Sequence, residues 1–174
     1  PQIVWGLLGG AGADILVFNL IWTLVSVALQ AALGVGVALM LQRHGVKFKG
    51  WWRTLFILPW AIPEFVGALI WFQVFEPTNG WLALYRGETL NWQASPTAAL
   101  LVLLIAGVWI GWPLMRRAAT AGLKMIPPDV YDAVAVDGAN AWQTFRSITG
   151  PLLLPLLTPV LIIRTILAFN QFYL

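Results

Sequence analysis

Few residues in this chain could take part in chemistry, and the charged ones among them stand out against long apolar runs. The sequence contains no cysteine, and its single histidine, His44, stands between Arg43 and Gly45. Disulfides, zinc–thiolate sites and thiol nucleophiles are therefore excluded, and one histidine cannot build a histidine-rich metal site. Two ionisable residues, Glu64 and Arg164, interrupt otherwise uncharged apolar stretches. Such residues are costly inside a membrane and usually have a function there, so they are the first candidates for one.

The composition is that of a membrane protein. Of the 174 residues 60% are hydrophobic and 10% are charged, whereas a soluble domain carries roughly 25% charged residues. This composition argues against a soluble enzyme domain and against a disordered tail. The net charge of +3 is small and scattered, so it indicates membrane topology rather than binding to nucleic acid.

Four stretches are apolar enough and long enough for helices that cross a bilayer, which takes about 20 residues each. The predicted spans are 15–41, 54–75, 96–115 and 152–174. The predicted fold class is therefore all-α and polytopic. Pro59 and Pro63 remove backbone donors from the second span, so this span should bend or break.

The two charges inside these spans need an explanation. Glu64 follows the proline pair, where it could line a watered pathway or lie protonated or paired within the bundle. Arg164 lies about halfway along the fourth span, where an arginine costs about 2.5–3.5 kcal/mol on insertion scales. We therefore expect Arg164 to face the bundle or water, and a pair with Glu64 is one open arrangement.

Basic residues predict which loops face the cytoplasm. The loops 42–53 and 116–151 hold four Lys and Arg each, and the loop 76–95 holds one. This asymmetry predicts that the first and third loops are cytoplasmic, and that the middle loop and both ends are outside. Most of the 11 tryptophans are expected to anchor the two membrane interfaces.

The third loop carries the most informative pattern. Pro128 is typical of the first turn of a helix, and Gly138 can supply the left-handed residue that ends it. Asn140 with Gln143 predicts a capping box at the start of a second short helix, which Pro151 should close. Two short helices with an apolar edge are suited to docking in a groove on another protein. An elbow packed on its own bundle is the alternative.

The same loop resembles the cytoplasmic loop of ABC importer permeases, which runs Glu-Ala-Ala, three residues, Gly and about nine residues to an Ile-x-Leu-Pro-like end. The resemblance implies that the loop couples the chain to ATPase subunits. The implied coupling residues are Tyr131, Asp132, Ala133, Val134, Asp137, Gly138, Ala139, Phe145 and Pro151. The sequence departs from the pattern where Asp132 replaces Glu, Val134 replaces Ala and Gly150 replaces Leu.

Flanking stretches are similar to carbohydrate permeases, in particular to the larger permease of the maltose type. They comprise 49–63, Trp71 with the turn 76–80, 109–113, 122–127 and 168–172. The family core has six spans, so the resemblance implies one permease domain over 1–174, with four of the six spans visible and the first and last missing. The segment 116–151 is then its coupling loop, and we expect the chain to be a fragment.

The resemblance further implies the transmembrane subunit of an ATP-driven importer of a sugar or oligosaccharide, in a bacterial or archaeal inner membrane. The implied partners are a second permease subunit in a heterodimer, two ATPase subunits, an extracytoplasmic solute-binding protein and the lipid bilayer, but no nucleic acid. The chain has no Gly-x4-Gly-Lys-Ser/Thr loop, so ATP and Mg are expected on the ATPases, and the chain is expected to bind no cofactor and to be no enzyme.

Polar and aromatic residues in the second and fourth spans are the candidates for the translocation pathway. They are Glu64, Trp71, Asn170 and Gln171. An amide can both donate to and accept from hydroxyl groups, and an indole offers a flat apolar face. Packing against a partner or bridging between helices is the alternative role. Alternative functions are import of a polyamine, phosphate or peptide, a membrane enzyme using His44 or Glu64 as acid–base, and a membrane scaffold.

Overall fold

The computed structural model describes residues 11–42, 45–87, 89 and 92–170, and for residues 11, 12 and 64 it describes the backbone alone. This part of the chain is mostly helical and contains no strand, which confirms the all-α prediction. The α-helices are α1 (Ala11–Gln42), α2 (Lys49–Leu55), α3 (Leu58–Ala61), α4 (Glu64–Val74), α5 (Trp81–Arg86), α6 (Pro96–Met125), α7 (Pro128–Val136), α8 (Ala141–Thr144) and α9 (Gly150–Asn170). A 3-10 turn (Trp92–Ala94) precedes α6, and a π turn (Phe145–Thr149) joins α8 to α9.

Among the described residues, three helices are long and apolar enough to cross a membrane: α1, α6 and the continuous helix from Ala141 to Asn170. The helices α2 to α4 form a fourth candidate whose two halves bend by 98°. At the break, Ile62 is extended, with φ −80° and ψ 130°, because the residue before a proline is disfavoured in the helical region. The predicted break of the second span at its prolines is confirmed.

The third span is longer than predicted. α6 continues past residue 115 to Met125 and so carries Arg116 and Arg117, which the sequence assigned to a loop. Arg116 is buried in the bundle, and the guanidinium of Arg117 lies 5.2 Å from the centre of the Trp60 ring. Hydropathy marks only the apolar part of this helix, which ends at Ile126 (φ −77°, ψ 122°) because the residue before a proline is disfavoured in the helical region.

The prediction that Pro151 closes the second short helix is wrong. α8, the π turn and α9 form one helix that continues through Pro151. In a regular helix the proline ring clashes with the carbonyl four residues earlier, which here belongs to Ser147. Ser147 lies in the π turn, which is closed by a hydrogen bond from Gly150 N–H to Phe145 O. Its wider path makes room for the ring.

The helices α1, α6 and α9 pack together closely along their lengths. One buried cluster joins Ala38, Ala119, Leu123, Ile126, Leu153 and Leu157. Glycines permit this approach, as small residues do in membrane bundles. A Cβ on Gly34 would lie 2.6 Å from the Cβ of Met115, and a Cβ on Gly122 would lie 2.7 Å from the Cδ1 of Leu153.

Candidate functional site

In the loop between α6 and α9, the backbone groups at the helix ends are satisfied by hydrogen bonds within the loop. Pro128 occupies the first turn of α7, as predicted. At the other end Gly138 has φ +69°, which confirms the predicted left-handed residue. Ala139 N–H donates to Val134 O at 3.3 Å and Gly138 N–H to Ala135 O at 3.2 Å. These two bonds form a Schellman motif, which reverses the chain without help from other elements.

The start of α8 is also capped by residues of the loop itself. Gln143 N–H donates to Asn140 Oδ1 at 2.9 Å, and Asn140 N–H donates to Gln143 Oε1 at 2.8 Å. The predicted capping box is therefore confirmed. Trp142, which is mostly exposed, stacks on Phe145 with ring centres 5.9 Å apart. The loop thus presents an aromatic edge while its backbone groups remain satisfied.

Most candidate coupling residues lie at the surface of this loop. Asp132, Ala133, Asp137, Gly138 and Pro151 are exposed, whereas Tyr131, Val134, Ala139 and Phe145 are half-buried. Tyr131 differs from the rest, because its hydroxyl lies 3.3 Å from Thr149 Oγ1 within the bundle. Four of the exposed members lie on α7 and in the turn at Gly138, Pro151 lies at the start of α9, and Tyr131 contacts the helices of the bundle.

The pathway candidates do not share one cavity in the described part of the chain. Trp71 packs on Trp109 with ring centres 5.6 Å apart and lines a cavity of about 360 Å³. Asn170 is exposed and lines a separate cleft of about 260 Å³ beside Thr23. The Glu64 side chain and all of Gln171 lie outside the described atoms. Among the described residues, no group of three or more His, Cys, Asp and Glu could hold a metal ion.

A buried polar contact links three of the spans. Arg164 Nε donates to Gln30 Oε1 at 2.7 Å, and Gln30 Nε2 donates to the Gly107 carbonyl at 3.2 Å. Gln30 is 1% exposed and Arg164 is 7% exposed, which confirms that Arg164 faces the bundle. Gly111 is required beside them, since a Cβ there would lie 2.3 Å from Gln30 side-chain atoms. A contact of Arg164 with Glu64 stays a prediction.

The sequence reasoning missed Gln30, although the pattern around it was visible. Asn19, Thr23, Ser26 and Gln30 follow one another at intervals of four, three and four residues in an uncharged span. Such spacing places them on one face of a helix, and all four are buried. In a membrane helix a polar stripe of this kind predicts a contact with other helices.

In the turn after α4, hydrogen bonds from neighbouring residues hold the carboxylate of Glu76. Glu76 accepts hydrogen bonds from the Asn79 backbone N–H, from the Thr78 hydroxyl at 2.8 Å and from the Thr78 N–H at 3.0 Å. The Asn79 bond first, and then the Thr78 hydroxyl, lower the pKa of Glu76 below its ordinary value. Gly80 is required in this turn, because a Cβ there would lie 2.3 Å from Glu76 O.

Several proteins of known function resemble this chain in sequence. The galactooligosaccharide transport system permease protein GanP of Bacillus subtilis is 33% identical over 164 residues, which cover 91% of this chain and 39% of that protein. The maltose/maltodextrin transport system permease protein MalF of Escherichia coli is 37% identical, over 92% of this chain and 32% of its own. The trehalose/maltose transport system permease protein MalF of Thermococcus litoralis is 37% identical over 155 residues, which cover 87% of this chain and 52% of that protein. The chain thus spans about a third to a half of the length of these relatives.

Solved structures share the fold. A bacterial ABC transporter involved in the import of the acidic polysaccharide alginate superposes with a TM-score of 0.72 at 21% identity, over 84% of this chain and 53% of that chain. The same kind of transporter in complex with an alginate pentasaccharide-bound periplasmic protein superposes with a TM-score of 0.64 at 22% identity. At this level of identity the likeness shows the fold alone.

A family model matches most of the chain. Residues 30–174 match the family described as binding-protein-dependent transport system inner membrane component. The match covers α1 from Gln30 onwards, the broken span, α6, the loop 128–140 and α9. This chain therefore belongs to the family of inner membrane components of binding-protein-dependent transport systems.

Proposed function

We propose that this chain is the transmembrane part of an ATP-driven importer that moves a sugar or oligosaccharide across a bacterial or archaeal cytoplasmic membrane. The observation that carries the proposal is the loop 128–140, whose helix ends are satisfied by local hydrogen bonds and most of whose side chains are exposed beside a bundle of membrane-spanning helices. Relatives named for galactooligosaccharides, maltodextrin and maltose support a sugar as the solute.

The loop serves as the contact with the ATPase subunits. Asp132 and Asp137 are exposed, so their carboxylates can meet basic or amide donors on an ATPase. The chain itself is a transport subunit rather than an enzyme. Closure of the ATPases on ATP moves α7, and the bundle alternates between outward and inward access. Because two distant sites are coupled, solute must change the affinity for ATP as much as ATP changes the affinity for solute.

The remaining partners follow from the same proposal. A second permease subunit completes the pathway, two ATPase subunits bind the cytoplasmic loops, and an external solute-binding protein delivers the solute. This arrangement predicts three dependences of uptake. Transport should need ATP inside, the binding protein outside and both permease subunits together.

Uptake by the assembled transporter tests this function. The full-length protein, its partner permease and the ATPase subunits are reconstituted in liposomes with the binding protein outside. The vesicles are then offered labelled maltodextrin, galactooligosaccharide, spermidine, inorganic phosphate or a tripeptide. ATP-dependent uptake of a saccharide alone supports the proposal. Uptake of one of the other three solutes would reassign the solute, and failure to bind any ATPase would reject the importer.

Glu64, Trp71, Asn170 and Gln171 are proposed to line the solute pathway. Trp71 offers an indole face in a cavity, and Asn170 offers an amide in a cleft with Thr23 and Thr165. The variants Trp71→Ala and Asn170→Ala should lower uptake without loss of assembly or basal ATPase activity. Trp51→Ala is the matched control, because Trp51 is exposed on α2. Unchanged uptake in both pathway variants would remove these residues from the pathway.

A further inference from the structure

Tyr131 is the candidate coupling residue whose polar group contacts the bundle. Its hydroxyl lies 3.3 Å from Thr149 Oγ1, with either group able to donate, and Thr149 is 3% exposed. Tyr131 and Val130 also pack against the buried cluster that contains Leu153 and Leu157 of α9. The coupling helix α7 is therefore attached to the π turn and the start of α9 by one hydrogen bond and by apolar packing.

Thr149 is the last residue of the π turn. Its hydrogen bond with Tyr131 therefore joins α7 to the point where the π turn meets α9. The turn is closed by a bond from Gly150 N–H back to Phe145 O, five residues earlier. A π turn accommodates one residue more than an α-helical turn, which corresponds to about 100° of rotation at 3.6 residues per turn. The π turn thus sets how α8, with exposed Trp142, is rotated relative to α9.

Apolar packing alone does not hold such a register well. Dispersion contacts are individually weak and depend little on direction. A hydrogen bond weakens steeply when its geometry changes. The hydrogen bond at Thr149 is therefore more sensitive to a rotation of the π turn than the apolar contacts of Val130 and of the Tyr131 ring are.

We infer that the hydrogen bond between Tyr131 and Thr149 holds the π turn in register and makes α7 and α9 move as one body. Tyr131 is then a positioning residue inside the permease and not a docking residue on the ATPase. This inference rests on the proposed function, because it assigns a coupling role to a contact within the coupling loop. Force applied to α7 at the exposed surface would reach α9 through this bond.

Conservative variants separate this role from simple packing. Tyr131→Phe removes the hydroxyl and keeps the ring, Thr149→Val keeps the shape of the side chain, and Thr149→Ser keeps the hydroxyl. The matched control is Thr158→Val, because Thr158 Oγ1 donates to Leu154 O at 2.9 Å on the same helix. Each variant is made in the full-length protein and assembled with the partner permease, the ATPases and the binding protein.

The readout is the amount of solute taken up per ATP hydrolysed. Tyr131→Phe and Thr149→Val should each lower this ratio by about fivefold, as expected for the loss of one net hydrogen bond. Their double variant should be no worse than either single one, and Thr149→Ser and Thr158→Val should match the wild type. Amide hydrogen exchange at 145–150 should be faster in Tyr131→Phe than in the wild type.

Two results would overturn the inference. One is a wild-type ratio in both Tyr131→Phe and Thr149→Val. The other is a fall in the amount of assembled protein at constant ratio, which would make the bond merely structural. A wild-type complex without ATP-dependent uptake would instead reject the proposed function. The exchange experiment on the purified protein would then decide alone whether this bond holds the π turn, with unchanged exchange in Tyr131→Phe counting against it.

Discussion

The loop 128–140 and the buried contact of Gln30 with Arg164 satisfy their polar groups in opposite ways. The loop uses partners a few residues away, as in the bond from Ala139 to Val134. Arg164 finds its acceptor 134 residues away in the sequence. A loop with local partners can present its side chains to another protein without a cost to the bundle. A buried contact between spans stabilises the bundle and is costly to break.

The largest expected effect comes from breaking the buried contact. Gln30→Leu removes the acceptor of Arg164 Nε, and a buried hydrogen bond to a charged group contributes about 1.5–3 kcal/mol. We expect a clearly lower melting temperature of the detergent-solubilised protein, measured by fluorescence-detected size-exclusion chromatography after heating. The double variant Gln30→Leu with Arg164→Leu should recover part of the loss, because the buried guanidinium is then gone.

Gln73→Leu is the matched control for this substitution. Gln73 is an exposed glutamine on α4, so its replacement should leave the melting temperature nearly unchanged. If Gln30→Leu melted like the wild type, the contact would not stabilise the bundle. The contrast with the loop would then be lost.

The turn at Gly138 should separate coupling from stability. Gly138→Val forces a β-branched residue into a conformation with φ +69°, at a cost of roughly 1–2 kcal/mol. We expect ATP-dependent uptake to fall, while the melting temperature falls less than it does in Gln30→Leu, because the strain is confined to one turn. Gly138→Asn should be tolerated better, since asparagine adopts left-handed conformations more readily. Uptake at the wild-type rate in Gly138→Val would show that the turn geometry does not matter for coupling.

The capping box should give a smaller and more local effect. Asn140→Ala removes the acceptor for Gln143 N–H and should cost about 1 kcal/mol of local helix stability. Hydrogen exchange of the amides at 141–144 should become several times faster, while the amides of α1 remain unchanged. If the change extended to α1, the loop would not be an independent local unit.

The smallest effect is expected at the turn after α4, where hydrogen bonds from neighbouring residues hold the Glu76 carboxylate. Hydrogen bonds from Asn79 and Thr78 lower the pKa of Glu76 from 4.5. Such a group stabilises the turn above its unfolded-state pKa, and this contribution is lost as the pH falls through the lowered folded-state pKa. The amide signals of Thr78 and Asn79 should therefore titrate with a midpoint below 4.5, and Glu76→Gln should abolish the titration. A midpoint at or above 4.5 would contradict the hydrogen bonds seen here.

Short sequence patterns correctly predicted the structural features that depend on only a few neighbouring residues. Gly138, the Asn140–Gln143 box and the break at Pro63 each depend on backbone chemistry within a few residues, and the structure confirms them. The continuation of the helix through Pro151 was not predictable in this way, because it depends on a π turn just before the proline.

Contacts between distant residues were harder to predict. Nothing near Arg164 in the sequence indicates its acceptor, because the packing of α9 against α1 is what brings Gln30 beside it. The polar stripe ending at Gln30 could have suggested that α1 carries such a partner. It could not have shown which span the stripe faces. The same limit applies to the contact of Tyr131 with Thr149, which needed the path of the chain around Gly138.

Whether the two exposed loops lie on opposite sides of the membrane tests the proposed coupling most directly. Val136 on α7 and Tyr85 on α5 are both 89% exposed, and this chain has no cysteine of its own. Val136→Cys and Tyr85→Cys are therefore well-matched sites for a membrane-impermeant maleimide. We predict that Val136→Cys reacts in inside-out vesicles alone and is protected when the ATPases are bound. Tyr85→Cys should react in right-side-out vesicles whether or not ATPases are present. Labelling of Val136→Cys from the outside, or equal labelling with and without ATPases, would contradict coupling through this loop.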